Sequence, residues 1–332
     1  MLAGRKLRAT GDEFTVAELC NHFLTSKLNR LETGEISART FHDYRAVCCR
    51  LVSVFGKTRA VADLQSDDFE ELRQDISKTR GPVGLANEIG RVRVALKHAY
   101  DASLIDRPVR TGAGFVKPSK RVLRIARQVN GSKMFEPAEI RALLDRANTQ
   151  IKAMILLAIN CGFGNSDIGR LPISAVDLER GWIIFPRPKT AVERRNLIWD
   201  RTVQALRDVL ASRPNPVGEE AEGKVFVTKY GQAWVKAGDA ENPRTANPIS
   251  AEFRKLSQSC GVYKKGRSYY SLRHTFRTVG EEAGETATRY LMGHADHSMS
   301  GVYRERISDE RLRAVTDHIH KWLWPDSEGG ES

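Results

Sequence analysis

Strand-like alternation is absent between Thr15 and about Leu104, and apolar residues there recur at intervals of three and four. Val16, Leu19, Phe23 and Leu24 make one such face, and Tyr44, Val47, Leu51 and Val54 make another. Ser37, ahead of Thr40–Tyr44, and Ser66, ahead of Asp67 and Asp68, suit N-caps, whose side-chain oxygens accept from free first-turn N–H groups. Pro82 suits the start of a further helix with Ile89, Val92, Leu96 and Tyr100 on one face, since proline's missing N–H has no partner to lose there. The pattern predicts a separate bundle of about four helices over 12–106, preceded by a basic arm over 1–11.

Between 107 and 133 the chain changes character. It carries eight basic residues, no acid after Asp106, and proline and glycine punctuation. A solvated linker would do this. A linker crossing a phosphate backbone accounts better for charge of a single sign, which makes Arg121, Arg124 and Arg127 expected DNA contacts. The whole chain leans the same way: 53 Lys and Arg against 41 Asp and Glu in 332 residues give +12. Each phosphate neutralised releases counterions, so a polyanionic partner is favoured, although an ordinary basic enzyme has such a balance too.

Hydrophobic content of 41% and charged content of 28% suit a soluble globular protein. The longest apolar run, near Ile151–Ile159, is too short to span a bilayer and contains Lys152, so no membrane partner is expected. The amino terminus has charges with no apolar stretch behind them, unlike a secretory signal. Cysteines at 20, 48, 49, 161 and 260 are odd in number and form no CxxC pair, which suggests reduced thiols in a cytoplasm.

A second domain is expected over 134–325, with a short tail over 326–332. Pro137 opens a helix to about Ala147, and Ile151–Cys161 reads as a buried helix ending at Gly162. Trp182–Phe185 and Asn196–Trp199 read as strands flanking Pro186–Arg195, a hairpin with a basic loop. Helices resume near Thr202–Ala211 and again from Ile249, Leu272, Ala287 and Asp309. The fold class is therefore mainly α with a small β-sheet, α+β, with no internal repeat.

Four pieces of this domain look unlike plain core: Tyr270-Ser271-Leu272-Arg273-His274-Thr275-Phe276, then Leu291-Met292-Gly293-His294, then Tyr303 nine residues after His294, and Lys189-Thr190 in the hairpin loop. Their order and spacing resemble the tyrosine recombinases of the phage integrase family, whose box reads roughly HxLRHTF, then LGH, then a tyrosine nine residues on. The amino-terminal bundle is similar to that family's core-binding domain, so the resemblance spans nearly the whole chain.

The resemblance implies site-specific breakage and rejoining of duplex DNA, and chemistry explains the residue types. Attack on a phosphodiester builds charge on the non-bridging oxygens, so fixed cations and donors are needed. Arg273 would present a planar fork to those oxygens and His294 would donate to the same phosphate. Lys189, on the loop, would protonate the departing 5′ oxygen, the other reading of that basic loop (Arg180, Arg187, Lys189, Arg194 and Arg195) being a solvated or phosphate-contacting face. Tyr303 would be the nucleophile, held as a 3′-phosphotyrosyl link until religation. No metal, ATP or other cofactor is implied. His274 would pack or buttress the arginine, and Arg194 and Arg195 in the basic loop would contact DNA. Four protomers would exchange strands through a Holliday junction, a homo-oligomer on DNA close to the nucleoid. The stripe Leu312, Val315, Ile319, Trp322 and Leu323 would either dock a last helix in a neighbouring protomer or fold it on its own domain.

Two positions depart from the family pattern. Its first arginine, in a TGLRxSE-like string, is replaced by Gly164 in Cys161-Gly162-Phe163-Gly164-Asn165-Ser166-Asp167, and the first histidine of the box is Tyr270. Tyrosine keeps a donor. Losing one transition-state donor typically costs about 10² to 10³ in rate, enough to slow such a site without abolishing it. Arg170 lies six residues on, about 240° further round a helix, a poor replacement. Asn165 or Arg194 remain open as substitutes. A DNA-binding protein that kept the clamp and lost the chemistry, and a type IB topoisomerase, are the rival readings.

Overall fold

Thr15 and Glu18 close a capping box at the first helix: the Glu18 carboxylate accepts from Thr15 N–H at 2.8 Å and Glu18 N–H donates to the Thr15 hydroxyl at 3.3 Å. In the computed structural model, which describes residues 13–129, 131–236, 248–295 and 306–325, this cap starts α1 (Val16–Glu32). It is followed by α2 (Ala38–Phe55), α3 (Ser66–Thr79) and α4 (Pro82–Asp101). Ser37 caps α2 as its sequence suggests, accepting from Thr40 N–H at 3.2 Å. At α3 the cap is Gln65, one residue earlier than expected, because the Asp68 carboxylate reaches back to Gln65 N–H at 2.8 Å. The buried faces of α1–α4 enclose Phe23, Leu51, Phe69, Leu72, Ile89 and Val92 in one core. Tyr100, expected on the α4 core face, is instead 45% exposed.

The described residues form two compact units divided between Gly131 and Ser132. The stretch read as a linker is partly helical: α5 (Lys120–Gln128) starts at Ser119, whose hydroxyl accepts from Val122 N–H at 3.3 Å. Arg121, Arg124 and Arg127 are exposed on it.

In the second unit α6 (Pro137–Arg146) and the almost wholly buried α7 (Thr149–Cys161) are followed by the short α8 (Asn165–Arg170). An antiparallel sheet of β1 (Val176–Asp177), β2 (Trp182–Ile184) and β3 (Arg195–Leu197) comes next, in the order β1-β2-β3 with Ile183 opposite Asn196. The expected hairpin is β2–β3. Then come α9 (Asp200–Ala211), α10 (Pro248–Ser259), α11 (Tyr270–Leu291), broken by non-helical backbone at Gly284, and α12 (Asp309–Leu323). The fold is α+β.

The apolar stripe of α12 lies on its own unit, with Leu312, Val315, Ile319 and Leu323 buried against the core of α7 and α11. Trp199 Nε1 donates to Thr316 O at 3.1 Å, which fixes the helix above α9. Among the described residues no helix is long and apolar enough to cross a membrane.

Candidate active site

Helix α7 ends because Gly162 turns left-handed at φ 65°, where a Cβ would meet the Phe276 ring at 2.7 Å. That turn leaves the Gly162 carbonyl to the guanidinium of Arg273, from the first turns of α11. Arg273 Nη2 also donates to Met292 O at 2.7 Å and lies 3.1 Å from His294 Nε2. A buried guanidinium has five N–H groups to satisfy; the two carbonyls and the imidazole take up part of that need, and Nε has no partner among the described residues. Arg273 is only 1% exposed, so its fork is turned on the chain's own carbonyls rather than presented openly as expected. Asn196, from β3, donates to Cys161 O at 3.3 Å and Leu291 O at 3.1 Å, clamping the two helix ends that flank Arg273.

Below Arg273 sits a buried ion pair. Asp167 Oδ2 accepts from Gly164 N–H at 2.7 Å, and Asp167 Oδ1 accepts from Arg194 Nη2 at 2.6 Å. Arg194 also donates from Nε to Phe185 O at 2.8 Å and lies 4.2 Å over the Phe163 ring. Its side chain is fully buried. The expected DNA contact at Arg194 is therefore corrected: an arginine closed in by a carboxylate and two rings has no surface to offer a phosphate. Arg195 faces the other way along β3. It pairs with Asp309 at 3.0 Å over the Trp182 ring, a partly exposed tie from sheet to α12.

The β2–β3 loop is pinned over this pair. Thr190 and Ala191 N–H groups donate to Arg187 O at 3.1 and 2.8 Å, closing a tight turn. The Thr190 hydroxyl donates to Gly293 O at 3.0 Å, and Arg187 Nη1 is 3.5 Å from the same oxygen. Gly293 has φ 64°, and a Cβ there would lie 2.7 Å from Arg187 Cβ, so the loop needs glycine at that point. The loop thereby carries exposed Lys189 to a cleft of about 330 Å³ lined by Gly164, Asp167, Arg187 and Tyr270 among others.

Tyr270, half-exposed at the start of α11, lays its ring 3.2 Å from where a Cβ at Gly164 would stand. His274 meets the edge of Tyr270, with ring centroids 5.4 Å apart, and is exposed. Its ring contact among the described residues is with the tyrosine. The Asn165 amide donates to Ser250 at 3.0 Å. Arg273, His294, Lys189 and Tyr270 are thus gathered in one unit, while Arg121, Arg124 and Arg127 belong to the other. Tyr303 lies outside the described residues. Sequence reasoning missed Asp167, Arg187 and Asn196 as parts of the site. A polar residue just beyond an apolar run and a basic pair in a loop are weak signals, and only the fold brings them together.

Burial, then the charges of Arg273 and Arg187, hold His294 down to about 4. It is therefore a neutral imidazole at neutral pH. With Nε2 accepting from Arg273, Nδ1 carries the proton and is the ring's donor. Burial and the Arg187 charge lower Arg273 to about 10, which leaves it cationic. The His294 shift has a consequence for stability. Between pH about 6.5 and 4 the unfolded chain binds a proton here that the folded chain refuses, so stability falls as pH falls through that window. Chemical unfolding of wild type and His294→Asn at pH 7 and pH 4.5 should show a smaller acid loss in the variant. Equal losses would mean that His294 is charged in the folded chain. His98, His274 and His320 are lowered as well and act equally in both proteins.

Comparison with known proteins adds to this geometry. The model of the phage integrase family matches residues 133–309. Among solved structures, the Tn1549 transposon integrase in complex with transposon right-end DNA superposes with a TM-score of 0.65 at 16% identity, over 92% of this chain and 99% of that one. A lambda integrase dimer bound to a core site gives 0.61 at 12% identity, over 87% and 98%. A lambda integrase tetramer bound to a Holliday junction gives 0.62 at 12%, over 90% and 80%. At such identities the structures attest the fold. No curated protein sequence matches the chain.

Proposed function

This chain belongs to the phage integrase family, the tyrosine recombinases, and on that premise we propose that it cleaves and rejoins duplex DNA through a 3′-phosphotyrosyl bond at Tyr303. The observation that carries the reading is the meeting of Arg273, His294 and the Lys189 loop, the loop being held on Gly293 from 103 residues away.

In the proposed reaction Tyr303 Oη gives its proton to solvent water and bonds to phosphorus, the P–O5′ bond breaks, and the Lys189 ammonium gives O5′ a proton. Arg273 and the His294 Nδ1–H hold charge developing on the non-bridging oxygens, which requires the guanidinium to exchange a carbonyl for phosphate. Tyr270 offers a hydroxyl where the family has histidine. Religation is the reverse, so the bond energy is conserved. The biological role that fits is integration or excision of a mobile element near the nucleoid, by a tetramer of this chain on paired sites. Arg121, Arg124 and Arg127 on α5, with Arg195 as a lesser candidate, would grip the phosphate backbone. Replacing the three α5 arginines by glutamine should lower the slope of log affinity against log salt by about 0.9 for each phosphate no longer neutralised. An unchanged slope would remove them from the interface.

Gly164 favours one second reading, a DNA clamp without chemistry. A nicked duplex that traps the covalent intermediate decides between them. Wild type should form a protein–DNA adduct that resists denaturant and that Tyr303→Phe abolishes. Wild type that binds the duplex and leaves no adduct contradicts the enzyme reading.

A further inference from the structure

The cleft beside Gly164 has no side chain of its own where the family pattern has its first arginine, and the Tyr270 ring stands 3.2–3.3 Å from any Cβ placed there. Besides Lys189, three arginines of this unit lie near the position. Arg273 is 1% exposed and holds two carbonyls, and Arg194 is fully buried and closed by Asp167. Arg187 differs from both. It lines the open cleft together with Lys189 and Tyr270, is only partly buried, and makes one long hydrogen bond, 3.5 Å to Gly293 O. Among the described residues no carboxylate pairs with it. We propose that Arg187 is the missing cation: its guanidinium contacts a non-bridging oxygen of the scissile phosphate in place of an arginine at 164.

The proposal rests on the reading that this cleft receives a DNA phosphate. The electrostatics agree with it. Arg187 Nη1 lies 3.5 Å from Gly293 O, one residue along from the Met292 carbonyl that Arg273 holds and next to His294, and its charge helps lower both Arg273 and His294. Two guanidiniums crowded together repel, and an anion between them relieves that repulsion and draws the bidentate donors of both. The loop geometry fits as well. The turn that fixes Lys189 is closed on the Arg187 carbonyl, so one hairpin tip delivers both the acid and the clamp. The alternatives are engaged elsewhere, Asn165 with Ser250 and Arg194 with Asp167.

Single-turnover adduct formation on the nicked duplex tests this. Arg187→Ala should lose about 10²-fold or more in rate with DNA affinity held within about threefold, and Arg187→Lys should fall between the two. On a duplex carrying a neutral methylphosphonate at the mapped cleavage position, the loss should shrink to under about tenfold, which no general loss of structure would produce. Arg187→Ala cleaving within about threefold of wild type, or losing equally on both duplexes, overturns the proposal. If wild type makes no adduct, the reading of the function fails, and titration with inorganic phosphate decides this proposal separately. Arginine Nε–H resonances that shift saturably in wild type and not in Arg187→Ala support it. Equal shifts, or none in wild type, overturn it.

Discussion

Replacing Arg194 by alanine is expected to lower the stability of the second unit by about 3–5 kcal/mol. The side chain is fully buried, bonds Asp167 at 2.6 Å and Phe185 O at 2.8 Å, and stacks on Phe163. Its loss would leave the Asp167 carboxylate with Arg273, 3.9 Å away, as its nearest cation, and would open a void beside two rings. Removing one partner of a buried pair is costly because the other stays charged in a poor dielectric. For a unit of this size that loss corresponds to a melting point about 6–20 °C lower. Arg194→Met combined with Asp167→Leu should recover part of it, since neither charge then remains. A fall below about 1 kcal/mol accompanied by weaker DNA binding would return Arg194 to the DNA surface and contradict its place in the core.

Arg273→Ala is expected to have the largest effect on cleavage of any change among the described residues, about 10³-fold or more in single-turnover rate. A single transition-state donor is worth about 10²–10³, and Arg273 also orients His294 through the 3.1 Å contact. Stability should fall too, since the carbonyls of Gly162 and Met292 lose their donor at about 1–3 kcal/mol for each buried group left unpaired. Arg273→Lys should rescue little: an ammonium on a flexible stem cannot span the two carbonyls and the imidazole. A rate within about tenfold of wild type in Arg273→Ala would remove this residue from the reaction.

Much of the fold is legible in the sequence because the helices carry long apolar faces and explicit caps, as at Ser37 and Pro82. What escapes is short or contrary to the local pattern. β1 has two residues and α8 six, too few for a period to appear. α5 sits among glycines and prolines with Val122 and Ile125 exposed, so no buried stripe announces it. The site is legible as a set of residue types but not as an arrangement. A run of basic residues reads as a solvated face, and only the register of β3 shows that Arg194 turns inward with Asn196 while Arg195 turns out. Gly164 and Tyr270 read as two independent departures in the sequence, whereas in the fold the tyrosine ring occupies the space above the glycine. Arg187, two residues from Lys189, gains significance only because the loop is pinned on Gly293.

The central claim, covalent chemistry at Tyr303, is tested most directly by locating the DNA on the protein. The trapped adduct is digested with nuclease and trypsin, and the peptide from Tyr290 to Arg304 is sequenced by mass spectrometry. The nucleotide remnant is expected on Tyr303. A remnant on Tyr290 of the same peptide, on any other residue, or on none would contradict the account.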